Sequence, residues 1–214
     1  AYAPENTMAS FIKAEEANAD WFELDVRLSK DGEVIVMHDE TVDRTTNGHG
    51  NVRDLTLYEL KQLDAGAWKA PEFAGERIPT LGQCLDYAKY KVGVYVEIKS
   101  CDDDTELMGK VLQHAEGVKE ANPSFYRDLI DMAEKDETQN LVLTRKVIDL
   151  VRRKIMRRHV TIQSFSPLVC GFVRAEAPEL RVELLAHVDA DSKMTWEQWE
   201  RWAFLMRVHG FNCN

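Results

Sequence analysis

The chain has 214 residues, 44% of them hydrophobic and 30% charged, with a formal net charge of −10. That length buries a substantial core, and a single domain spanning residues 1–214 is the expectation. Acidic residues spread along the whole chain argue against a duplex nucleic-acid partner, and no apolar run approaches the roughly 18 residues that a membrane span requires.

Ala1-Tyr2-Ala3-Pro4-Glu5-Asn6-Thr7 includes neither an initiator Met nor the apolar core of a signal peptide, so the compartment is not read from it. Thr7 is placed to cap a helix expected to run to about Asn18, with Met8, Phe11 and Ile12 on its apolar side. Residues 21–26 read as a strand and Lys30-Asp31-Gly32 as a turn. Residues 34–38 read as a second strand, whose nearly continuous apolar character suits cover on both faces. From about 41 to 77 polar turns surround one short helix opened by Thr56-Leu57-Tyr58-Glu59, a small insertion beside the strand ends. Pro79-Thr80-Leu81-Gly82-Gln83 starts another capped helix, and residues 92–98 form a third strand.

Residues 102–159 read as mainly helical, with a break at Pro123 and a second helix expected over 146–158. Three further strands are expected at 160–164, 181–186 and 210–214. Between the last two, Trp196, Trp199 and Trp202 fall at helical spacing and read as a packing stripe. Six strands alternating mostly with helices predict parallel pairing and an α/β architecture. Cys84, Cys101, Cys170 and Cys213 have no metal-site spacing and are expected to be buried free thiols. The basic run Arg152, Arg153, Lys154, Arg157 and Arg158 reads as a solvated helix face, and His49 as a surface residue in a glycine-rich turn.

Chemistry concentrates at strand ends. Glu23 and Asp25, two apart on a strand, point to the same side, and like charges so close disfavour joint ionisation unless a cation lies between them. A hard, oxygen-ligated divalent ion, Mg²⁺ or Ca²⁺, would relieve that repulsion, and would give an acidic protein a local source of positive charge. Glu97 and Lys99 repeat the same spacing at the end of another apolar strand, and His38 ends a third. Each of the five follows an apolar run that ought to lie inside, which a solvated surface does not explain.

These residues sit in segments that resemble the motifs of the glycerophosphodiester phosphodiesterase family. The segments are Ala3-Pro4-Glu5-Asn6-Thr7, Glu23-Leu24-Asp25-Val26, Lys30-Asp31-Gly32 and His38-Asp39-Glu40-Thr41, then Asp43-Arg44-Thr45-Thr46-Asn47-Gly48, Leu63-Asp64-Ala65-Gly66, Ile78-Pro79-Thr80-Leu81 and Val96-Glu97-Ile98-Lys99. The resemblance is dense up to Lys99 and thins beyond it to Gln163-Ser164-Phe165 and Gly210-Phe211-Asn212. It implies a TIM-type (β/α)₈ barrel with a small insertion, and hydrolysis of deacylated phospholipids to glycerol 3-phosphate and an alcohol. By position, Glu23, Asp25 and Glu97 would be metal ligands, His38 one of two catalytic histidines, and Lys99 a neutraliser of phosphate charge. Gln163 and Phe165 would line the substrate pocket, with His187 a possible rim residue.

The physical logic fits those roles. A phosphodiester resists attack because its charge repels nucleophiles and its alkoxide leaves poorly. A metal ion and Lys99 would answer the first difficulty, and a histidine, which exchanges protons near neutral pH, the second. A substrate hydroxyl beside the phosphate could attack internally once a base takes its proton, and that base would be the second histidine.

The resemblance also implies a His-Arg-Gly strand before Ala1 and a Val- and Trp-rich strand after Asn214, neither of which is present. A protein limited to these residues is expected to have weak activity or none. Two rival readings share the fold, a non-catalytic module that binds phosphorylated head groups and a lysophospholipase D-like enzyme acting on single-chain lipids.

Overall fold

The computed structural model describes residues 2–188 and 194–213, which fall into two compact units: residues 1–99 with 149–160, and residues 100–148 with 161–214.

In the first unit, α1 (Met8–Glu16) is opened by a reciprocal cap, Ser10 donating its amide to Thr7 Oγ1 while its own Oγ faces the Thr7 amide. The helix ends at Glu16, two residues before the expected limit, with Ala17 as its C-cap, and Asn18 follows in the left-handed region with φ 57°. Phe11 is buried and stacks on Phe22 of β1 (Trp21–Leu28), with ring centroids 4.5 Å apart. β1 pairs in parallel with β3 (Gly93–Ile98) and antiparallel with β2 (Val34–Val36). The antiparallel pair corrects the expectation of uniformly parallel strands. Only residues 29–33 join β1 to β2, too few for the crossover that parallel strands require. Leu24 and Val26 of β1 and Val94, Val96 and Ile98 of β3 are fully or almost fully buried, each contributing about 1.5–3 kcal/mol of apolar burial.

The segment 41–77 contains α2 (Leu57–Leu60) and makes its own apolar cluster, in which Val42, Val52, Leu60, Ala65 and Ile78 pack with Ile35 and Met37. Its tightest turn hangs on Asp64, whose carboxylate accepts from the amides of Gly66, Ala67 and Gly75. A Cβ on Gly66 would lie 2.0 Å from the Phe73 carbonyl oxygen, so the backbone approach there admits only glycine. α3 (Leu81–Ala88) follows, capped by Thr80.

The second unit contains α4 (Thr105–His114), α5 (Pro123–Lys135), the early part of α6 (Gln139–Arg153), α7 (Pro167–Glu176) and α8 (Trp196–Leu205). Its parallel strands β4 (Val160–Ser164), β5 (Arg181–Ala186) and β6 (Gly210–Cys213) pair in that order; Asn214, expected in the last strand, lies outside the described residues. α6 starts and stops earlier than the expected 146–158. Its first amide, on Gln139, donates to Asp102, a cap 37 residues away that local sequence does not reveal. Its end is fixed by Ile155 at φ 59°, with the Met156 amide returning to the Val151 carbonyl.

The side chains of the basic run are exposed or half-buried and partly paired, Arg153 with Asp149 at 2.6 Å and Lys154 with Asp86 at 2.6 Å. Trp199 and Trp202 are buried as a packing stripe requires, while Trp196 is partly exposed. Cys84 and Cys170 are buried free thiols. Cys101 is half-buried and Cys213 exposed, which corrects the expectation of four buried ones; Cys213 stands on the open last residues of β6.

Candidate metal centre

The register of β1 with β3 sets Asp25 directly opposite Glu97, and Glu23 lies two residues back on the same side of β1. One carboxylate oxygen from each of the three comes within 4.8 Å of the others. Asp25 and Glu97 are buried and Glu23 is the most open of the three. Lys99 closes the group from the end of β3. Its Nζ lies 2.9 Å from Asp25 Oδ1 and 2.5 Å from Glu97 Oε1, and its backbone amide donates to the Val26 carbonyl.

One ammonium does not balance three carboxylates. Burial, then repulsion from Asp25 and Glu97, pushes the Glu23 carboxyl up to about 8, although part of its side chain still meets solvent and Lys99 acts against the rise. For Lys99, burial favours the neutral amine, but its hydrogen bonds to Glu97 and Asp25 outweigh burial and hold the ammonium above its ordinary range. An all-oxygen acidic set with unbalanced negative charge suits a hard divalent cation.

Asn6 supports the cluster from outside it, and sequence reasoning assigned it no role. Its Nδ2 donates to Asp25 Oδ2 at 2.8 Å and its Oδ1 accepts from the Asp25 amide at 3.2 Å. The signal was present in the sequence as an Asn before a helix cap, since asparagine tolerates the left-handed φ of 53° found here.

His38 lies two residues beyond β2, next to Met37, whose amide donates to the Asp25 carbonyl. Its backbone carbonyl accepts from Arg27 Nε, and its Nδ1 is 2.7 Å from Asp39 Oδ1. Asp39 in turn takes two hydrogen bonds from Arg44, whose other edge is held by Glu5. The Arg44 guanidinium, ahead of the His38 ring, keeps the Asp39 carboxyl well below the usual range, so a carboxylate faces the imidazole. Glu5, Asp39 and Arg44 thus form a hydrogen-bonded chain that orients the ring, a role their residue types alone do not signal. His49 is highly exposed and pairs with Asp43.

Gln163 and Phe165 belong to the second unit. Gln163 donates to Glu183 at 3.3 Å, and Glu183, buried on β5, also accepts from Asn212 at 2.7 Å and from Arg181 at 2.8 Å. Burial alone would raise the Glu183 carboxyl; those three donors overcome it and hold it below its ordinary value. Phe165 and His187 border a cavity of about 500 Å³ with Met108, Trp199 and Trp202.

The glycerophosphoryl diester phosphodiesterase family model matches residues 1–211. A glycerophosphodiester phosphodiesterase of Caldanaerobacter subterraneus is 57% identical over 98 residues, 45% of this chain and 40% of that protein. One of Bacillus subtilis is 47% identical over 109 residues, 47% of this chain and 37% of its own length. The chain therefore spans about two fifths of these relatives. The crystal structure of a glycerophosphodiester phosphodiesterase from Agrobacterium tumefaciens superposes with a TM-score of 0.69 at 30% identity, covering 99% of this chain and 71% of that one. An Oleispira antarctica phosphodiesterase solved with the product sn-glycerol-3-phosphate superposes at 0.68 and 27% identity, covering 99% and 70%. These neighbours have the TIM-barrel fold expected from the sequence.

Proposed function

The chain belongs to the glycerophosphoryl diester phosphodiesterase family, and from that premise we propose that it carries out metal-dependent hydrolysis of glycerophosphodiesters to glycerol 3-phosphate and an alcohol, with residues 1–214 forming one phosphodiesterase domain. The observation that carries the reading is the meeting of Glu23, Asp25 and Glu97 beside Lys99 on two paired strands.

Glu23, Asp25 and Glu97 would hold the divalent ion, Mg²⁺ or Ca²⁺, which when bound supplies Lewis-acid neutralisation of phosphate charge. Lys99, fixed between two carboxylates, offers its ammonium to a non-bridging phosphate oxygen. His38 acts as general acid and base: Asp39 accepts its Nδ1–H, which leaves Nε2 as the nitrogen that exchanges a proton with the substrate. Arg44 keeps Asp39 ionised for that purpose. Gln163 offers an amide and Phe165 an apolar surface to the substrate, so Ala at either position is expected to raise KM more than it lowers kcat.

The test is release of glycerol 3-phosphate from glycerophosphocholine, with and without EDTA, by the full-length protein and by its Glu23→Ala and His38→Ala variants. Release that EDTA and both substitutions abolish is the expected result. A folded, metal-binding protein that releases nothing from any diester would replace this reading with a phosphate-binding module.

A further inference from the structure

Three arginines from separate parts of the second unit border one cavity of about 470 Å³: Arg127 on α5, Arg174 on α7 and Arg207 just past α8. Among the described residues, none has a carboxylate at close hydrogen-bonding distance. Arg127 makes no hydrogen bond or ion pair among the described residues. Arg207 reaches Glu120 only at 3.8 Å. Arg174 uses one nitrogen on the Pro178 carbonyl at 3.3 Å and near the His209 ring at 3.4 Å, and its guanidinium lies beside the Tyr126 hydroxyl, while among the described residues its buried Nε has no acceptor. Arg207 also sits at φ 51°, a conformation that non-glycine residues adopt at a cost.

This arrangement is unexpected in a chain of net charge −10, where carboxylates are plentiful. Three guanidiniums around one cavity repel one another unless an anion lies among them, and their planar donor edges match phosphate oxygens. Asp131 is the single carboxylate in the lining, leaving an excess of two positive charges among the lining residues, which Glu120 beside Arg207 offsets only in part. Ala121, Ile130 and Ala175 add apolar wall, and Tyr126, anchored by its hydroxyl to the Met206 carbonyl, stiffens one side.

We propose that this cavity binds a small, soluble phosphomonoester dianion, its phosphate held by Arg127, Arg174 and Arg207 and its organic part against the apolar wall. No residue of the Glu23, Asp25 and Glu97 cluster takes part, so binding here does not require the metal.

Calorimetry in EDTA with glycerol 3-phosphate and with inorganic phosphate tests this on wild type, Arg127→Gln, Arg207→Asn and Glu97→Gln. Asparagine keeps the left-handed backbone at 207 and glutamine suits the exposed face of α5, so both variants are expected to fold. Wild type and Glu97→Gln should bind alike, and each arginine variant should bind about tenfold more weakly or worse. No binding by wild type, or undiminished binding by both arginine variants, would overturn the proposal. Phosphatidylcholine vesicles containing phosphatidic acid form a parallel arm: retention on vesicles without binding of the free esters would overturn the assignment to a soluble ligand.

Discussion

Asn6 grips Asp25 at two points with one amide, bonding its carboxylate at 2.8 Å and its backbone N–H at 3.2 Å. The grip ties the segment before α1 to the strand that carries two of the three acidic groups. Asn6→Ala removes a hydrogen bond to a charged group and forces a β-carbon residue with no polar side chain into the left-handed region, a loss of about 2–4 kcal/mol. Asn6→Gly relieves the second cost but not the first. Urea unfolding of both variants separates the two terms, and divalent-ion affinity should fall about 10- to 100-fold in each.

Lys99 and Glu23 should respond to substitution in opposite directions. In the metal-free protein Lys99→Met leaves Asp25 and Glu97 buried without their cation and should cost about 3–5 kcal/mol, whereas Glu23→Gln removes a repelled carboxyl and should leave stability unchanged or higher. Adding Mg²⁺ or Ca²⁺ should raise the melting temperature of Lys99→Met and of wild type, but much less that of Glu23→Gln. Thermal melts with and without EDTA decide the matter, and equal melting shifts in all three proteins would exclude Glu23 as a ligand.

The Glu183 carboxyl is held below its ordinary value, so the stability it contributes is complete above the unfolded-state pKa of about 4.3 and disappears as pH falls through the lower folded-state value. Glu183→Gln should therefore be less stable than wild type at pH 7, and the gap should close as the solution is acidified below about pH 4. Denaturation midpoints measured across that range should converge at low pH; a gap that stays constant would show that the carboxylate charge is not responsible.

Burial pushes the Cys84 thiol up to about 12 and raises that of Cys170 as well, whereas Cys213 is exposed. Iodoacetamide at pH 8 should modify Cys213 in the native protein and leave Cys84 and Cys170 unmodified until denaturant is added, a pattern that peptide mass mapping reads directly.

The strands, the capped helix starts at Thr7, Thr56 and Thr80, and the Glu23 and Asp25 pair were legible as local patterns: an apolar run, a cap residue three positions before its partner, or carboxylates two apart. Glu97 joined that pair as a third ligand only through the resemblance to the family. What escaped depends on partners distant in the chain. The start of α6 is set by Asp102, the orientation of His38 by an Asp39 that Arg44 and Glu5 hold, and the placement of Asp25 by Asn6. Glu183, a buried acid whose carboxylate accepts from the Gln163 amide, is another residue that no periodicity singled out. β1 and β2 depart from the parallel expectation because only residues 29–33 join them, which permits a hairpin and no crossover.

The facing of Asp25 and Glu97 across β1 and β3 would make ion binding, where it occurs, and strand alignment one event. A shift of a single residue between those strands would turn one carboxylate away from the other, so misaligned intermediates would lack the chelating group altogether. An ion present during synthesis would then act as a proofreader of the nascent sheet, rewarding the one alignment able to hold it. Insertions should therefore be tolerated far more readily in the surface turns between these two strands than within either of them.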